Sequence, residues 1–438
     1  MKPLDLALQS DMDNTTAPSG DSSPGAVAGV GSGEQQMLLD TISLYLHIPF
    51  CHAKCHYCDF NSYAGMLGLR EQYVAALLRE IAYAGVWSRR EGRPRRCRTV
   101  FFGGGTPSLL TAAQVATILE AVRGAFRLDP DAEITLEANP GAIEHGEHGR
   151  LDEFHAAGVN RLSMGAQSFD ADLLRWMGRI HTPAEIETAF AAARSAGFDN
   201  INLDFIYALP GQSLEVWRDT LARAITLSPD HLSLYSLIVE EGTPLHSWVK
   251  QGRVAPVDDD IAADMYEIAE LMLGATEYEH YELSNWSREK RACSHNLTYW
   301  HNLPYIGLGA GAHGWFASHR YSEARPIREY ISRVETATKV SADPGVTSHL
   351  PAAAVVEDEV ISPALEMSET AFVELRLAGG IDRRSFADRF GQDFESVFGP
   401  KLEGVRAAGL LDDTDSHVRL SVRGRLLGNE VFQCLLPD

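Results

Sequence analysis

Cysteine is scarce, with six residues at positions 51, 55, 58, 97, 293 and 434 of a 438-residue chain. So few in so long a chain exclude a disulfide framework and fit a reducing, cytoplasmic setting. No apolar run approaches the roughly 20 residues that cross a bilayer, so a spanning helix is not expected, while peripheral membrane contact stays open. Basic residues are in deficit too: 38 Lys and Arg stand against 60 Asp and Glu, for a formal charge of −22. A field of that sign repels polyanions and argues against a nucleic-acid partner. The one basic run, Arg89, Arg90, Arg93, Arg95, Arg96 and Arg98, reads as a solvated loop between a helix and a strand. The first forty residues, rich in Asp, Ser, Gly and Thr, lack the basic start and apolar centre of a signal peptide and read as a disordered lead. The rest is ordinary for a globular protein, with 45% hydrophobic residues. The length suits two or more domains, or a barrel of about 200–300 residues with additions. Composition leaves the oligomeric state open.

Three of the six cysteines crowd into Cys51-His52-Ala53-Lys54-Cys55-His56-Tyr57-Cys58, a C-x3-C-x2-C loop directly after the apolar run Thr41 to Ile48. Thiolates hold iron–sulfur clusters, and a four-iron cluster with only three of them keeps one iron open. An open iron can chelate the amino and carboxylate groups of S-adenosylmethionine (SAM), and an electron from the cluster can then break the sulfonium bond to give a 5′-deoxyadenosyl radical. The spacing resembles that of the radical-SAM superfamily. A structural zinc site is the alternative, with His47, His52 or His56 as a fourth ligand, and buried thiols acting as small hydrophobes are a third reading.

From residue 41 short apolar runs alternate with longer amphipathic patterns, which predicts strands linked by helices in a parallel sheet. Strands are expected at Ser43–Ile48, Thr99–Gly103, Glu133–Glu137, Arg161–Gly165, Asn200–Ile206 and His231–Leu237. Helices are expected at Glu71–Val86, Ala112–Phe126, Gly149–Ala157, Pro183–Ala196 and Leu214–Leu227. Six β/α units predict an α/β fold, a partial (β/α)6 TIM-like barrel whose working residues sit on the loops after the strands. The cysteine loop falls there. So do Gly103-Gly104-Gly105-Thr106, whose glycines let backbone approach a ligand, Glu137-Ala138-Asn139, Gln167-Ser168, Gly178-Arg179-Ile180-His181, and Asp204-Phe205-Ile206-Tyr207. Carboxylates and amides suit a ligand's ammonium and hydroxyl groups, and a guanidinium suits its carboxylate. Taken singly, the glycines also read as a tight turn and Arg179 as a surface residue.

Five segments in order, Tyr45-Leu46-His47-Ile48-Pro49-Phe50-Cys51, Phe101 to Ser108, Leu203 to Gly211, Tyr281-Glu282-Leu283-Ser284-Asn285 and Gly307 to Gly314, resemble the oxygen-independent coproporphyrinogen III oxidase group. The likeness runs from about residue 41 to the C-terminus. It implies that Cys51, Cys55 and Cys58 ligate a [4Fe–4S] cluster, with Tyr45 and Tyr57 beside the cluster and SAM. It further implies that Gly104, Gly105 and Thr106 hold the methionine part of SAM, that Glu137, Gln167, Arg179 and Asp204 complete its polar cradle, and that Ile238 packs near the adenine.

That group divides into true oxidases, which decarboxylate coproporphyrinogen III, and HemW-type proteins, described as heme chaperones. The oxidases carry a further cysteine two residues past the third ligand, where this chain has Phe60. Ser294-His295-Asn296-Leu297-Thr298-Tyr299-Trp300 contains the H-N-x-x-Y-W signature that the likeness associates with heme. Imidazole is the usual protein ligand of heme iron and aromatic rings suit a porphyrin face. His295 is therefore the expected axial ligand, with Asn296, Tyr299 and Trp300 around it and His301 and His313 as rivals. The expectation is a chain that binds heme and delivers it to an apoprotein, with an electron donor for the cluster; the alternative is the oxidase. The expected domains are residues 1–40 as lead, 41–320 as barrel and heme motif, 321–361 as linker, and 362–438 as a small winged-helix-like module. That module lacks a basic recognition face.

Overall fold

The computed structural model describes residues 41–89, 94–141, 151–340 and 350–437. The expected lead, residues 1–40, lies outside them. Six strands follow one another with helical connections: β1 (Thr41–Ile48), β2 (Arg96–Gly104), β3 (Arg127–Ala138), β4 (Arg161–Gln167), β5 (Ile201–Tyr207) and β6 (His231–Ser236). Each pairs parallel with the next, β1 through Leu46↔Phe102 and β5 through Asp204↔Ser233 among others. β1 is buried at every position but Tyr45, as a parallel strand covered on both faces must be. The helices between strands carry local signals. Thr111 and Gln114 form a capping box on Ala112–Ala125, Thr182 and Glu185 form another on Pro183–Ser195, and Ser228 ends Leu214–Leu227 in a left-handed conformation.

The sheet continues past this unit on both sides. β7 (Glu279–Glu282) and β8 (Asn285–Ser287) add antiparallel strands beyond β6. On the other side β9 (Tyr305–Leu308) pairs parallel with β1, followed antiparallel by β10 (His313–Phe316), β11 (His319–Glu323) and β12 (Val355–Val360). The order β12-β11-β10-β9-β1-β2-β3-β4-β5-β6-β8-β7 is an open, curved barrel wall.

Residues 321–361 are not the expected linker. β11 crosses that boundary, helix Ile327–Val340 packs on helix Arg70–Ser88 with Tyr330 5.2 Å from Tyr73, and β12 completes the sheet edge. Its sequence Val-Val-Glu-Asp-Glu-Val is mostly exposed. Charge on an edge strand blocks pairing with other chains, and that same charge hid the strand from a hydrophobic-pattern reading.

A second apolar core, with Phe386, Phe394, Phe398, Leu402 and Val431, defines the C-terminal module. Helices Arg383–Phe390 and Phe394–Ala407 precede the antiparallel pair Leu411–Asp413 and His417–Leu420, in the order of a winged helix. The module docks on the barrel through backbone bonds from Leu283 N to Arg376 O (3.0 Å) and Ala378 N to Tyr281 O (2.9 Å). Arg389, almost fully buried, donates to the carbonyls of His301 and Asn302 at 2.9 and 2.8 Å.

Candidate cluster and cofactor site

The cysteine loop leaves β1 at its C-terminal end and returns through a short parallel pairing, Phe50↔Tyr63 and Cys51↔Ala64. All three thiols are half-buried and free of disulfides. Thr106 Oγ1 lies 3.7 Å from Cys51 Sγ, Arg179 Nη1 3.5 Å from Cys55 Sγ, and Ser62 Oγ 4.0 Å from Cys58 Sγ. Burial pushes the Cys51 thiol up and the Cys58 thiol up to about 11, and a charge on Cys55 would raise both further. Cys51 and Cys58, whose burial opposes ionisation, suit a positively charged centre, which supplies the missing counter-charge.

The zinc alternative finds little support. His47 faces the Asn61 carbonyl with Nε2 (2.9 Å), which can only accept, so Nε2 carries the proton and Nδ1 accepts from the Tyr45 hydroxyl (3.0 Å). His56 Nδ1 donates to Trp176 O at 2.9 Å.

The glycine turn after β2 is shaped by close approach. Gly105 N and Thr106 N donate to Ile48 O (2.9 Å) and Phe50 O (2.7 Å), locking the turn to the start of the cysteine loop. A Cβ on Gly105 would stand 2.5 Å from Phe50 O, and one on Gly104, whose φ is +115°, would stand 2.4 Å from the His47 ring. Gly104 N donates to Glu137 Oε2 at 3.0 Å. Burial, and then the nearby Asp204 charge, lift the Glu137 carboxyl to about 7. Asp204 is raised by burial too, although Asn202 Nδ2 (2.8 Å) and Ser163 Oγ (3.3 Å) both donate to it.

Arg179 Nη2 donates to Gly165 O at 2.8 Å while its buried Nε has no partner; the buried Oε1 of Gln167 has none either. Gln167 holds a left-handed φ of +67°. An unpaired donor, an unpaired acceptor and a strained backbone around the end of β4 are what a polar ligand would satisfy. The structure thus brings Tyr57, Gly104, Gly105, Thr106, Glu137, Gln167 and Arg179 to the end of the barrel that carries the cysteines, while Tyr45, midway along β1 with its ring 6.5 Å from that of His295, and Asp204, midway along β5, sit deeper inside. Tyr45 stacks on Phe101 at 6.2 Å, and burial holds the Tyr57 phenol protonated. Ile238 is 66% exposed beyond β6, with no core packing of its own.

Two positioning residues escaped the sequence reading. His56 is clamped by its ring bond to Trp176, by its N–H to Met177 O (3.2 Å), by its carbonyl accepting from Leu245 N (3.0 Å) and by edge contact with Trp248 at 4.9 Å. Asn61 Nδ2 reaches Ala310 O (2.8 Å) and Arg325 O (2.9 Å), tying the loop to the turn before β10 and to the segment after β11. Repeated His-Cys spacing drew attention to His56 only as a metal ligand.

The H-N-x-x-Y-W helix, Ser294–Trp300, lies at the opposite end of the strands. The Glu133 carboxylate caps its start, accepting from Ser294 N (3.0 Å) and His295 N (2.9 Å), and Thr298 Oγ1 meets Ser43 Oγ at 2.8 Å. His295 is 1% exposed, stacked 4.9 Å from Phe101, with Nδ1 2.7 Å from Thr99 Oγ1 and Nε2 2.9 Å from the Tyr299 hydroxyl. Burial, then the Arg161 charge, pushes its pKa down to about 3. The expected axial ligand therefore has both ring nitrogens in hydrogen bonds inside the barrel. Asn296 Nδ2 bonds the Tyr281 hydroxyl (3.3 Å), Tyr299 packs edge-on to Tyr305 (4.8 Å), and Trp300 is buried beneath the Arg376 guanidinium (4.7 Å). None of the three walls an open face.

The Radical SAM superfamily model matches residues 45–224 and the HemN C-terminal domain model matches residues 361–427. Heme chaperone HemW of Bacillus subtilis is 35% identical over 90% of this chain and 99% of its own length, and that of Escherichia coli 36% identical over 91% and 99%. Mouse radical S-adenosyl methionine domain-containing protein 1, mitochondrial, is 41% identical over 63% of this chain and 60% of its own. The solved structure of coproporphyrinogen III oxidase (HemN) from Escherichia coli superposes with a TM-score of 0.76 over 92% of each chain at 23% identity, a likeness of fold. The chain belongs to the HemW heme chaperone family, radical-SAM proteins with a HemN-type C-terminal domain.

Proposed function

We propose that this protein binds heme and passes it to a heme-requiring apoprotein in the cytoplasm, carrying a [4Fe–4S] cluster on Cys51, Cys55 and Cys58 with SAM as the exchangeable fourth ligand and drawing on an electron donor for the cluster. The full-length likeness to HemW proteins carries the reading, and Phe60, 52% exposed at the position where the oxidases have a further cysteine, supports it over the oxidase. When bound and reduced, the cluster supplies an electron to SAM. The chain's own residues do the holding. Arg179 sets a positive charge beside Cys55; the glycine turn, its N–H groups taken by Glu137, Ile48 and Phe50, would have carbonyls to offer the ammonium of SAM, and Glu137 and Asp204 would meet its cationic and hydroxyl groups. No described helix is long and apolar enough to cross a membrane.

Anaerobic incubation of the reconstituted chain with coproporphyrinogen III, SAM and a reductant separates the readings. The chaperone reading predicts no decarboxylated product; its accumulation at catalytic turnover would replace that reading with the oxidase.

A further inference from the structure

Two positions apart on β5, Asn202 and Asp204 lie on one face of the sheet, and β6 sets His231 opposite Asn202 and Ser233 opposite Asp204. Hydrogen bonds join these side chains into a chain that runs on to the motif helix. Asn202 Nδ2 donates to Asp204 Oδ1 and to Ser163 Oγ, both at 2.8 Å. Asn202 Oδ1 lies 2.7 Å from His231 Nδ1 and 3.2 Å from Ser233 Oγ. His231 Nε2 lies 2.8 Å from the Tyr281 hydroxyl, which sits 3.3 Å from Asn296 Nδ2 on helix Ser294–Trp300. His231 and Asn202 are fully buried.

The chemistry of the groups fixes the direction of every bond. A carboxylate oxygen accepts, so the Asn202 amide turns its nitrogen to Asp204 and its oxygen to His231. That oxygen needs a donor, which places the His231 proton on Nδ1. Burial, and then the Arg161 charge, hold the ring neutral, so Nε2 is an acceptor for the Tyr281 hydroxyl, whose oxygen accepts from Asn296 in turn. All donors point one way, from Asn296 to Asp204, and bonds aligned in this manner strengthen one another and fix the rotamers of their members. Asn202 has all four of its bonding positions filled. Asp204, which Asn202, Ser163 and Ser233 all approach, has about four acceptor positions and keeps capacity for a ligand hydroxyl.

We propose that His231 is a positioning residue for SAM: through Asn202 it sets the Asp204 carboxylate for the hydroxyl groups of that ligand, in a relay whose far end is Asn296 of the motif helix. This rests on the SAM-binding reading above. The test is a calorimetric SAM titration of the full-length chain, anaerobically reconstituted and with the cluster left unreduced so that no SAM is cleaved. His231→Asn can place an amide nitrogen where Nδ1 stands and keep the donor to Asn202; His231→Gln reaches the Nε2 position and leaves Asn202 Oδ1 without that donor. At matched iron per chain and urea midpoint, His231→Asn should bind SAM within about 2-fold of wild type and His231→Gln about 3–10-fold more weakly. Wild-type affinity in His231→Gln, or equal losses in the two variants, would reduce His231 to a packing residue and overturn the proposal. The double variant of His231→Gln with Asp204→Asn should bind no more weakly than Asp204→Asn alone; additive losses would show that His231 does not act through Asp204. Tyr281→Phe removes one oxygen and no packing, and so serves where a His231 variant fails to fold. It should weaken SAM binding about 2–3-fold, and unaltered affinity would overturn the link to the motif helix. Wild type that holds its cluster and does not bind SAM would overturn the SAM-binding reading itself, whereas the variant outcomes bear on the relay alone.

Discussion

Gly105→Ala is expected to damage the cysteine loop from a position that carries no functional group. The added Cβ would sit 2.5 Å from Phe50 O and 3.0 Å from Ile48 O, against ordinary contact beyond about 3.4 Å. Phe50 and Ile48 are both fully buried, so neither side of the contact can yield freely. These carbonyls accept from Gly105 N and Thr106 N at 2.9 and 2.7 Å, so relief of the clash stretches both bonds. Overpacking costs about 1–3 kcal/mol and each of the two weakened bonds up to roughly 1 kcal/mol, for a loss of about 1–5 kcal/mol. The displaced strand pair begins at Phe50 and Cys51, so the iron bound after anaerobic reconstitution should fall as well. Gly124→Ala is the control, because a Cβ there meets nothing within 4 Å in helix Ala112–Ala125; it should be neutral or stabilising by about 0.5–1 kcal/mol. Urea midpoints and iron per chain decide the matter. Equal midpoints and equal iron in the two variants would refute the close-packing argument.

Glu137 supplies a pH test in the SAM-free protein. Its carboxyl titrates at about 7 when folded against an ordinary 4.5, so its contribution to stability is full below pH 4.5 and lost as pH rises to 7, by at most about 3 kcal/mol. Glu137→Gln should flatten that part of the stability curve, and an unaltered slope between pH 4.5 and 7 would contradict the assignment. His56→Ala should lower the unfolding free energy, read from urea denaturation, by about 1–2 kcal/mol through the lost bond to Trp176 and packing on Trp248, and lower reconstituted iron with it; full iron loading would remove His56 as a loop clamp. Arg389→Ala should leave Glu366 and two carbonyls unmatched at the domain seam, at about 3–5 kcal/mol, and open the C-terminal module to limited proteolysis. Wild-type protease resistance would show that the seam is held elsewhere.

Much of the barrel could be read from local pattern because a β/α unit is a local object. Leu214–Leu227 begins at its Ser213 cap and ends at Ser228 as expected, and all six parallel strands fall where their apolar runs stand. β9 was hidden because Tyr-Ile-Gly-Leu is short and opens a glycine-rich stretch, and β12 because its charge protects an edge. The cysteine loop was legible from spacing alone. Its clamp was not, since His56 and Trp176 are 120 positions apart. The same limit governs the heme motif: its letters mark a helix worth attention, whereas the partner of the His295 Nδ1, Thr99, is 196 positions away.

Heme titration of the anaerobically reconstituted wild-type chain comes first among these experiments. Saturable binding near one heme per chain, with the cluster intact, is the expected result for a heme-carrying protein. Absence of stoichiometric binding in a chain that holds its cluster and cleaves SAM would contradict it.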